Sequence, residues 1–393
     1  MTSIPTAWTD RKTIELKGLR VTLAEPVLVR RSKRFCWFPG IMRQKNGDLW
    51  AGISAQGDEY FTGSAMHLTR SCDGGLTWDE PRLVWDGGLS HVLLADGSVV
   101  ILPFTLQPRP DGMGASGNLI QPDGRVRFML RAVEVTGWPR PDKPLEPDKG
   151  LAGFVFNGQS LTDSEGKYLT TLYGCFEGDK RYSLVLAESD DGFKWRIRST
   201  IAGGDCSLEG DDGPCEPAIC RLADAPSTGS GQGRLMCVFR MSSFVPYGQS
   251  WSADEGHTWS TPVAMTTAMS VEPSLQTLPS GVVALSGGRS GIFVWLNADG
   301  RGADWQTVDM VAHHNACLPP TDHINPDSRQ IDTGSEEMFK QGRGGYSSCY
   351  TRLITLDERH LLLIYDRIGL SWQAIPDESD ATNSVWVTRL TVE

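Results

Sequence analysis

SCDGGLTW, residues 71 to 78, packs a Ser, an Asp, two glycines, a Thr and a Trp into eight positions. The phrase returns as SDDGFKW (189 to 195), as SADEGHTW (252 to 259) and, degenerate, as NADGRGADW (297 to 305). In each copy the Asp carboxylate is placed to accept hydrogen bonds from backbone N–H groups a little further on, and Gly takes the positive φ that other residues resist. The phrase therefore reads as a turn that closes a hairpin. Ser or Thr adds a second bond across it, and the terminal Trp lies over apolar side chains of the sheet. The repeat is structural and carries no chemistry.

Around these turns the chain reads as short strands rich in Val, Ile, Leu, Phe and Tyr, such as HVLLADGSVVILPF, RLMCVFRMS and HLLLIYDR, broken by Gly, Asn, Asp and Pro. Convincing helical periodicity is missing. Several blocks open with an apolar strand, a turn and a second apolar strand, as in LQTLPSGVVALSGG, and then run toward a turn of the repeated type. One block is about one four-stranded blade, and blades set radially bury each other's faces. The expectation is an all-β fold, a six-bladed β-propeller forming one domain over residues 1–393, with blades opening near Phe35, Ser90, Gly153, Glu216, Glu272 and Tyr346. Strand-like segments near both ends, TIELKGLRVTLAE and SVWVTRLTVE, are expected to complete one blade between them. Residues 136–150 and 313–345 read as long loops.

The 37 Lys and Arg against 48 Asp and Glu give a net charge of -11 without basic blocks, which argues against nucleic acid as a partner. No stretch reaches the roughly 20 apolar residues that span a bilayer, and the start lacks the apolar segment of a secretory signal. A cytoplasmic location is the expectation, secreted or periplasmic if a leader was removed. Most of the nine Cys sit in strand-like runs such as RFCWF, AICRL and LMCVF, where a thiol acts as a small apolar group. Cys206 and Cys215 could close a loop as a disulfide. His313, His314 and His323 show no metal-binding spacing and read as solvated loop residues, so neither metal nor cofactor is expected.

The repeated turns, together with CEPAI, SGGRSG and CYTRLITLDERHLLLIYD, resemble the sialidase (neuraminidase) superfamily of Asp-box β-propeller glycosidases, over nearly the whole chain. That resemblance implies an Arg triad gripping a substrate carboxylate, a Tyr nucleophile paired with a Glu, and an Asp acid/base. It makes Tyr350 the nucleophile, with Tyr346 as the alternative, and Glu216 in CEPAI its partner. Arg240 in VFRMS and Arg289 in SGGRSG stand for two triad members, and Asp366 in IYDR for the carboxylate that orients a triad Arg. Asp58, or else Glu59, occupies the loop where the family keeps its acid. A phenol suits such a substrate because a carboxylate nucleophile would be repelled by an anionic sugar, and Glu216 could take the phenolic proton.

One departure is plain. Where the family has an Arg in a YRIP phrase, this chain has CWFPG, which puts Trp37 in the Arg position. Losing a charge-assisted bidentate contact costs about 2–3 kcal/mol. Either Arg34 or Arg43 replaces it, or Trp37 stacks on a sugar face and the substrate differs from an ordinary sialoside. A glycan or small sugar is the expected partner. Two other readings stay open: a polysaccharide lyase acting on uronates through a Tyr and a loop His such as His313, and a noncatalytic glycan-binding propeller.

Overall fold

The computed structural model describes residues 7–57, 65–109, 112–140, 143–146, 153–222, 234–269, 271–289, 291–326, 345–369 and 374–393. Strands dominate them, in two compact units: the described residues of 7–57, 65–83 and 276–393 form the first, those of 84–275 the second.

In the second unit the largest sheet joins two antiparallel meanders. Tyr168–Phe176, Ser183–Ser189 and Lys194–Ala202 make one; Val126–Thr136, Gly112–Ile120, Val99–Ile101 and His91–Leu93 make the other. A parallel pairing of Glu134–Thr136 with Lys194–Arg196 links them. Phe154, Phe156, Phe176 and Trp195 pack between them, with the Phe154 and Phe176 rings 5.1 Å apart. A separate four-stranded sheet runs Cys215–Arg221, Leu235–Arg240, Pro246–Ser252 and Val263–Met269. Ser183–Ser189 is buried at every position, which explains why its sequence, SLVLAES, shows a run of small and apolar residues without strict alternation.

In the first unit the two ends of the chain share a sheet. Leu19–Ala24 pairs with Asn383–Val392 (Val21 opposite Val392), which pairs on with His360–Arg367 and also with Val27–Ser32. Trp37–Arg43, Leu49–Ser54 and Met66–Ser71 pair in order, as do Val283–Gly288, Ile292–Asn297 and Gln306–Asp309. Glu216 and Glu272 lie on strands and Phe35, Ser90 and Gly153 one or two residues before one, whereas Tyr346 makes an isolated bridge with Ile368, six residues ahead of Arg352–Thr355.

The repeated turn is built as its sequence demands. In the 252–259 copy Asp254 Oδ1 accepts from Thr258 N at 2.9 Å and from Ser252 Oγ at 2.8 Å, and Oδ2 accepts from Thr258 Oγ1 at 2.6 Å. Gly256 sits at φ +84, where a Cβ would also meet Leu186 at 2.3 Å, and Trp259 Nε1 donates to Gly256 O at 3.2 Å. Asp73 and Asp191 repeat the pattern.

Two expectations need correction. The 313–345 stretch is not all loop: Met310–Cys317 is a helix, with Asp309 capping it by accepting from Ala312 N, and residues 327–344 lie outside the described set. His313 and His314 are buried in that helix rather than solvated, His313 Nε2 lying 2.8 Å from Ala24 O and His314 Nδ1 2.9 Å from Tyr365 Oη. Eight residues are too few for periodicity to announce a helix, and these tertiary bonds hold it. The Cys206–Cys215 disulfide that the sequence left open is not formed, both residues being free thiols.

Candidate functional site

Three strands open with a residue before Pro in a left-handed conformation: Phe38 at φ 45, Glu216 at φ 40 and Glu272 at φ 37. Non-glycine residues rarely sit there, and a bulge next to Pro loses no ladder hydrogen bond because Pro has no N–H. The register breaks at these points, between Trp37 and Pro39 and between Cys215 and Pro217. Each bulge turns its side chain out of the strand's alternation.

In the second unit this produces a row of carboxylates around one cation. Glu216 Oε1 accepts from Arg240 Nη1 at 2.7 Å, and Arg240 Nη2 donates to Asp212 Oδ2 at 3.0 Å. Glu216 Oε2 accepts from the backbone N of Glu272 at 2.9 Å, and Glu272 Oε2 accepts from Asn157 Nδ2 at 3.2 Å. Tyr247 Oη, bonded to Val271 O at 2.7 Å, pins the strand that carries Glu272. Glu216 and Glu272 are buried. Arg240, expected as a clamp for a substrate carboxylate, is engaged by two carboxylates of the chain.

In the first unit the buried carboxylate of Asp366 ties the bulge at Phe38 to the Ser347–Ser348 segment. It accepts from Phe38 N at 3.0 Å, from Ser347 Oγ at 2.9 Å, from Ser348 N at 2.7 Å and from Ser348 Oγ. Burial pushes its pKa up, against the pull of the four donors. Its partners are backbone and serine donors, which replaces the expected role of orienting an Arg. The fastening brings Phe38 edge-on to Tyr350, ring centroids 4.7 Å apart, beside Cys349 at φ 63.

Other expected residues fall as follows. Trp37 is fully buried and donates its indole N–H to Gln56 O at 2.9 Å, so it packs and presents no face to a sugar. Tyr346 is buried and exchanges backbone bonds with Ile368. Arg289 is buried at φ 98 in the first unit. Arg34 is exposed and pairs with Asp377 at 3.3 Å. Asp58 and Glu59 lie outside the described residues. Sequence reasoning missed Asp212, Asn157 and Arg352. The last is 1% exposed in RLIT, and an Arg inside an apolar strand was the available signal.

No protein-family model matches the sequence, and no curated protein matches it. Among solved structures the chain is similar to a protein of unknown function from Dyadobacter fermentans, at 16% identity and a TM-score of 0.66, covering 96% of this chain and 100% of that one. It is similar to a Penicillium chrysogenum α-L-arabinanase complexed with arabinobiose, at 16% identity and a TM-score of 0.56, over 93% and 98% of the two chains. A Hadza microbial sialidase matches at 14% identity and a TM-score of 0.56, over 89% of this chain and 65% of its own. The likeness is one of fold: nearly all β, in the β-propeller-like form of these glycosidases.

Proposed function

We propose that the chain is an exo-acting glycoside hydrolase whose acid–base chemistry lies with Glu216 and Glu272 and whose substrate is a sugar without a carboxylate. The observation that carries the reading is the row of buried Asn157, Glu272 and Glu216 with half-buried Arg240 and Asp212, both glutamates on strained backbone. Glycosidic cleavage runs on two carboxyl groups, one giving a proton to the leaving oxygen and the other acting as nucleophile or base. Glu216, ion-paired to Arg240, takes the role of nucleophile or base, and Glu272 that of the acid. Two carboxyl groups are set apart in role by their partners. A neutral sugar fits because Arg240 is committed to Glu216 and Asp212, while Trp37 fills the Arg position with a buried indole. The fold likeness to an arabinanase supports the same substrate class.

The fastening of Phe38 and Tyr350 by Asp366 favours a second reading, of sialidase type. There Tyr350 is the nucleophile, Glu216 its base and Asp58 the acid/base, with Arg240 and Arg289 binding a sialic acid carboxylate. The lyase alternative loses its loop histidine, since His313 is buried in a helix.

Wild type, Glu216→Gln, Glu272→Gln and Tyr350→Phe are assayed on 4-nitrophenyl α-L-arabinofuranoside, on a panel of neutral glycosides and on a fluorogenic sialoside. The first reading expects turnover of a neutral glycoside that falls by about 10²–10⁴ in either Gln variant and persists in Tyr350→Phe. Sialoside turnover abolished by Tyr350→Phe moves the conclusion to the second. A wild type inert on every substrate removes both.

A further inference from the structure

The second unit also carries a cleft of about 1090 Å³. Arg140, Lys180, Thr200, Asp205, Glu209 and Asp211 are among the residues that line it. Pockets for single small ligands run to roughly 300–1,000 Å³, so this one is larger than a single sugar ring fills. One wall is the 203–211 segment, and that wall is built in advance. The Arg181 guanidinium donates to the carbonyl oxygens of Gly204 at 2.7 Å, Leu208 at 2.9 Å, Gly210 at 3.2 Å and Cys206, while Gly204 N donates to Ser183 Oγ at 3.0 Å. A surface already ordered spends less of its binding free energy on ordering.

The lining selects a class of ligand. Arg140 pairs with Asp179 at 2.6 Å, and the lining as a whole sets Asp179, Asp205, Glu209 and Asp211 against Arg140, Lys180 and Arg181, four negative groups to three positive. Carboxylates, an ammonium and a hydroxyl offer hydrogen bonds to a polyol, and the acidic excess repels an anion. Among the described residues of the lining the one aromatic ring, Phe176, is buried and covered by Arg140, 4.9 Å from its centroid, so a flat heterocycle or a lipid chain finds little to stack on. The wall of the cleft is tied to the carboxylate row through the chain: Asp211 lines it, the next residue, Asp212, bonds Arg240, and Asp212 O accepts from Tyr182 N at 2.9 Å, next to the lining residue Arg181.

We propose that this cleft holds the units of an uncharged oligosaccharide that lie beyond the sugar at Glu216 and Glu272, so that the substrate is an oligomer or polymer of neutral sugars. The proposal rests on the glycosidase reading for its substrate, and its test is separable from that reading because it measures binding.

Hydrogen–deuterium exchange is followed on the full chain with neutral hexamers (arabino-, xylo- and galacto-oligosaccharides) and with anionic ones (oligogalacturonate and oligosialate). At least one neutral hexamer is expected to slow exchange several-fold in residues 177–182 and 203–211, and its monosaccharide is not. The anionic hexamers are expected to leave both segments unchanged. Thr200→Trp, which fills the cleft from the exposed side of Lys194–Ala202, should abolish the protection with a thermal midpoint near that of wild type. Protection by the anionic hexamers, protection confined to other segments, no protection at all, or protection that survives Thr200→Trp in the folded protein overturns the proposal. A protein that protects these segments yet hydrolyses no glycoside retains the cleft and loses the enzymatic reading. One that hydrolyses short aryl glycosides without such protection does the reverse.

Discussion

Arg240 decides between two accounts of the second unit. If it serves the chain, replacing it by Met should cost stability; if it waits for a substrate carboxylate, the same change should cost affinity. The Arg240, Glu216 and Asp212 side chains are only 14%, 7% and 20% exposed, and the two contacts are 2.7 and 3.0 Å long. Removing one partner of a buried ion pair costs about 3–5 kcal/mol, because the other charge stays behind uncompensated. Asp212 retains some access to water, so the expected loss is about 2–4 kcal/mol. The assay is urea unfolding followed by tryptophan fluorescence at pH 7 for wild type, Arg240→Met, Glu216→Gln and the double variant. Glu216→Gln on top of Arg240→Met removes the stranded charge and should return part of the loss, giving a coupling of about 1.5–3 kcal/mol. If Arg240→Met unfolds within about 0.5 kcal/mol of wild type, as an ordinary surface change does, and instead raises KM for a sialoside, the ion-pair account is refuted.

Three further outcomes follow from the same structure. Arg198, its side chain 2% exposed, bonds Asp163 Oδ2 at 2.6 Å and Glu188 Oε2 at 2.7 Å, so Arg198→Met should cost about 3–5 kcal/mol in urea unfolding at pH 7. Burial pushes Asp163 and Glu188 up, but Arg198 and neighbouring donors outweigh it and hold both below the ordinary carboxylate range. Their contribution is therefore present above a pH of about 4 and lost as pH falls through the lower folded values, so the cost of Arg198→Met should shrink at pH 3. Asp254→Ala removes the acceptor for Thr258 N and Thr258 Oγ1 in an exposed turn, where water replaces part of what is lost; a penalty of about 1 kcal/mol is expected from the unfolding midpoint. Burial lowers His314 to about 4 despite its bond to Asp322 O, so its ring should show no NMR titration between pH 5 and 8. Because the unfolded chain takes up that proton first, His314 should withdraw about 3 kcal/mol of stability as pH drops from 6.5 to 4.

What the sequence made legible was local. The Asp of each repeated turn, its Gly and its Trp act within eight residues, so their bonding follows from spacing alone, as Asp254 and Trp259 show. The strands and the pairing of the two chain ends were also readable, from apolar runs and turn residues. What escaped depends on distant partners. Arg240 looks like any Arg at a strand end until Asp212, 28 residues earlier in an irregular segment, reaches its second nitrogen. Trp37 was recognised as standing in an Arg position, but its burial depends on the strands around it. The helix Met310–Cys317 is held by bonds from His313 to Ala24 and from His314 to Tyr365, both far away in sequence.

The twin phrases CEPAI and VEPSL, joined by CWFPG, show why a structural habit and a functional site share the same residues. Phe38, Glu216 and Glu272 adopt one backbone conformation, φ 45, 40 and 37, each before a Pro that donates no hydrogen bond. Such a conformation costs about 1–3 kcal/mol and persists only where the surroundings hold it. Here Asp366 holds Phe38 N, and Glu216 itself holds Glu272 N. The strained position is thus a fixed socket whose backbone tolerates different side chains. In the first unit it carries a phenyl ring against Tyr350; in the second it carries two acids, one of them supporting the other. A residue that both displays a carboxylate and fastens the next bulge cannot be changed for chemistry alone. Glu216→Gln should therefore alter the backbone at Glu272 less than Glu216→Ala does, because Gln keeps an oxygen to accept that N–H. A Glu216→Gln variant as disordered at Glu272 as Glu216→Ala, judged by hydrogen exchange of residues 271–277, would show that the charge on Glu216, and not the acceptor, sustains the socket.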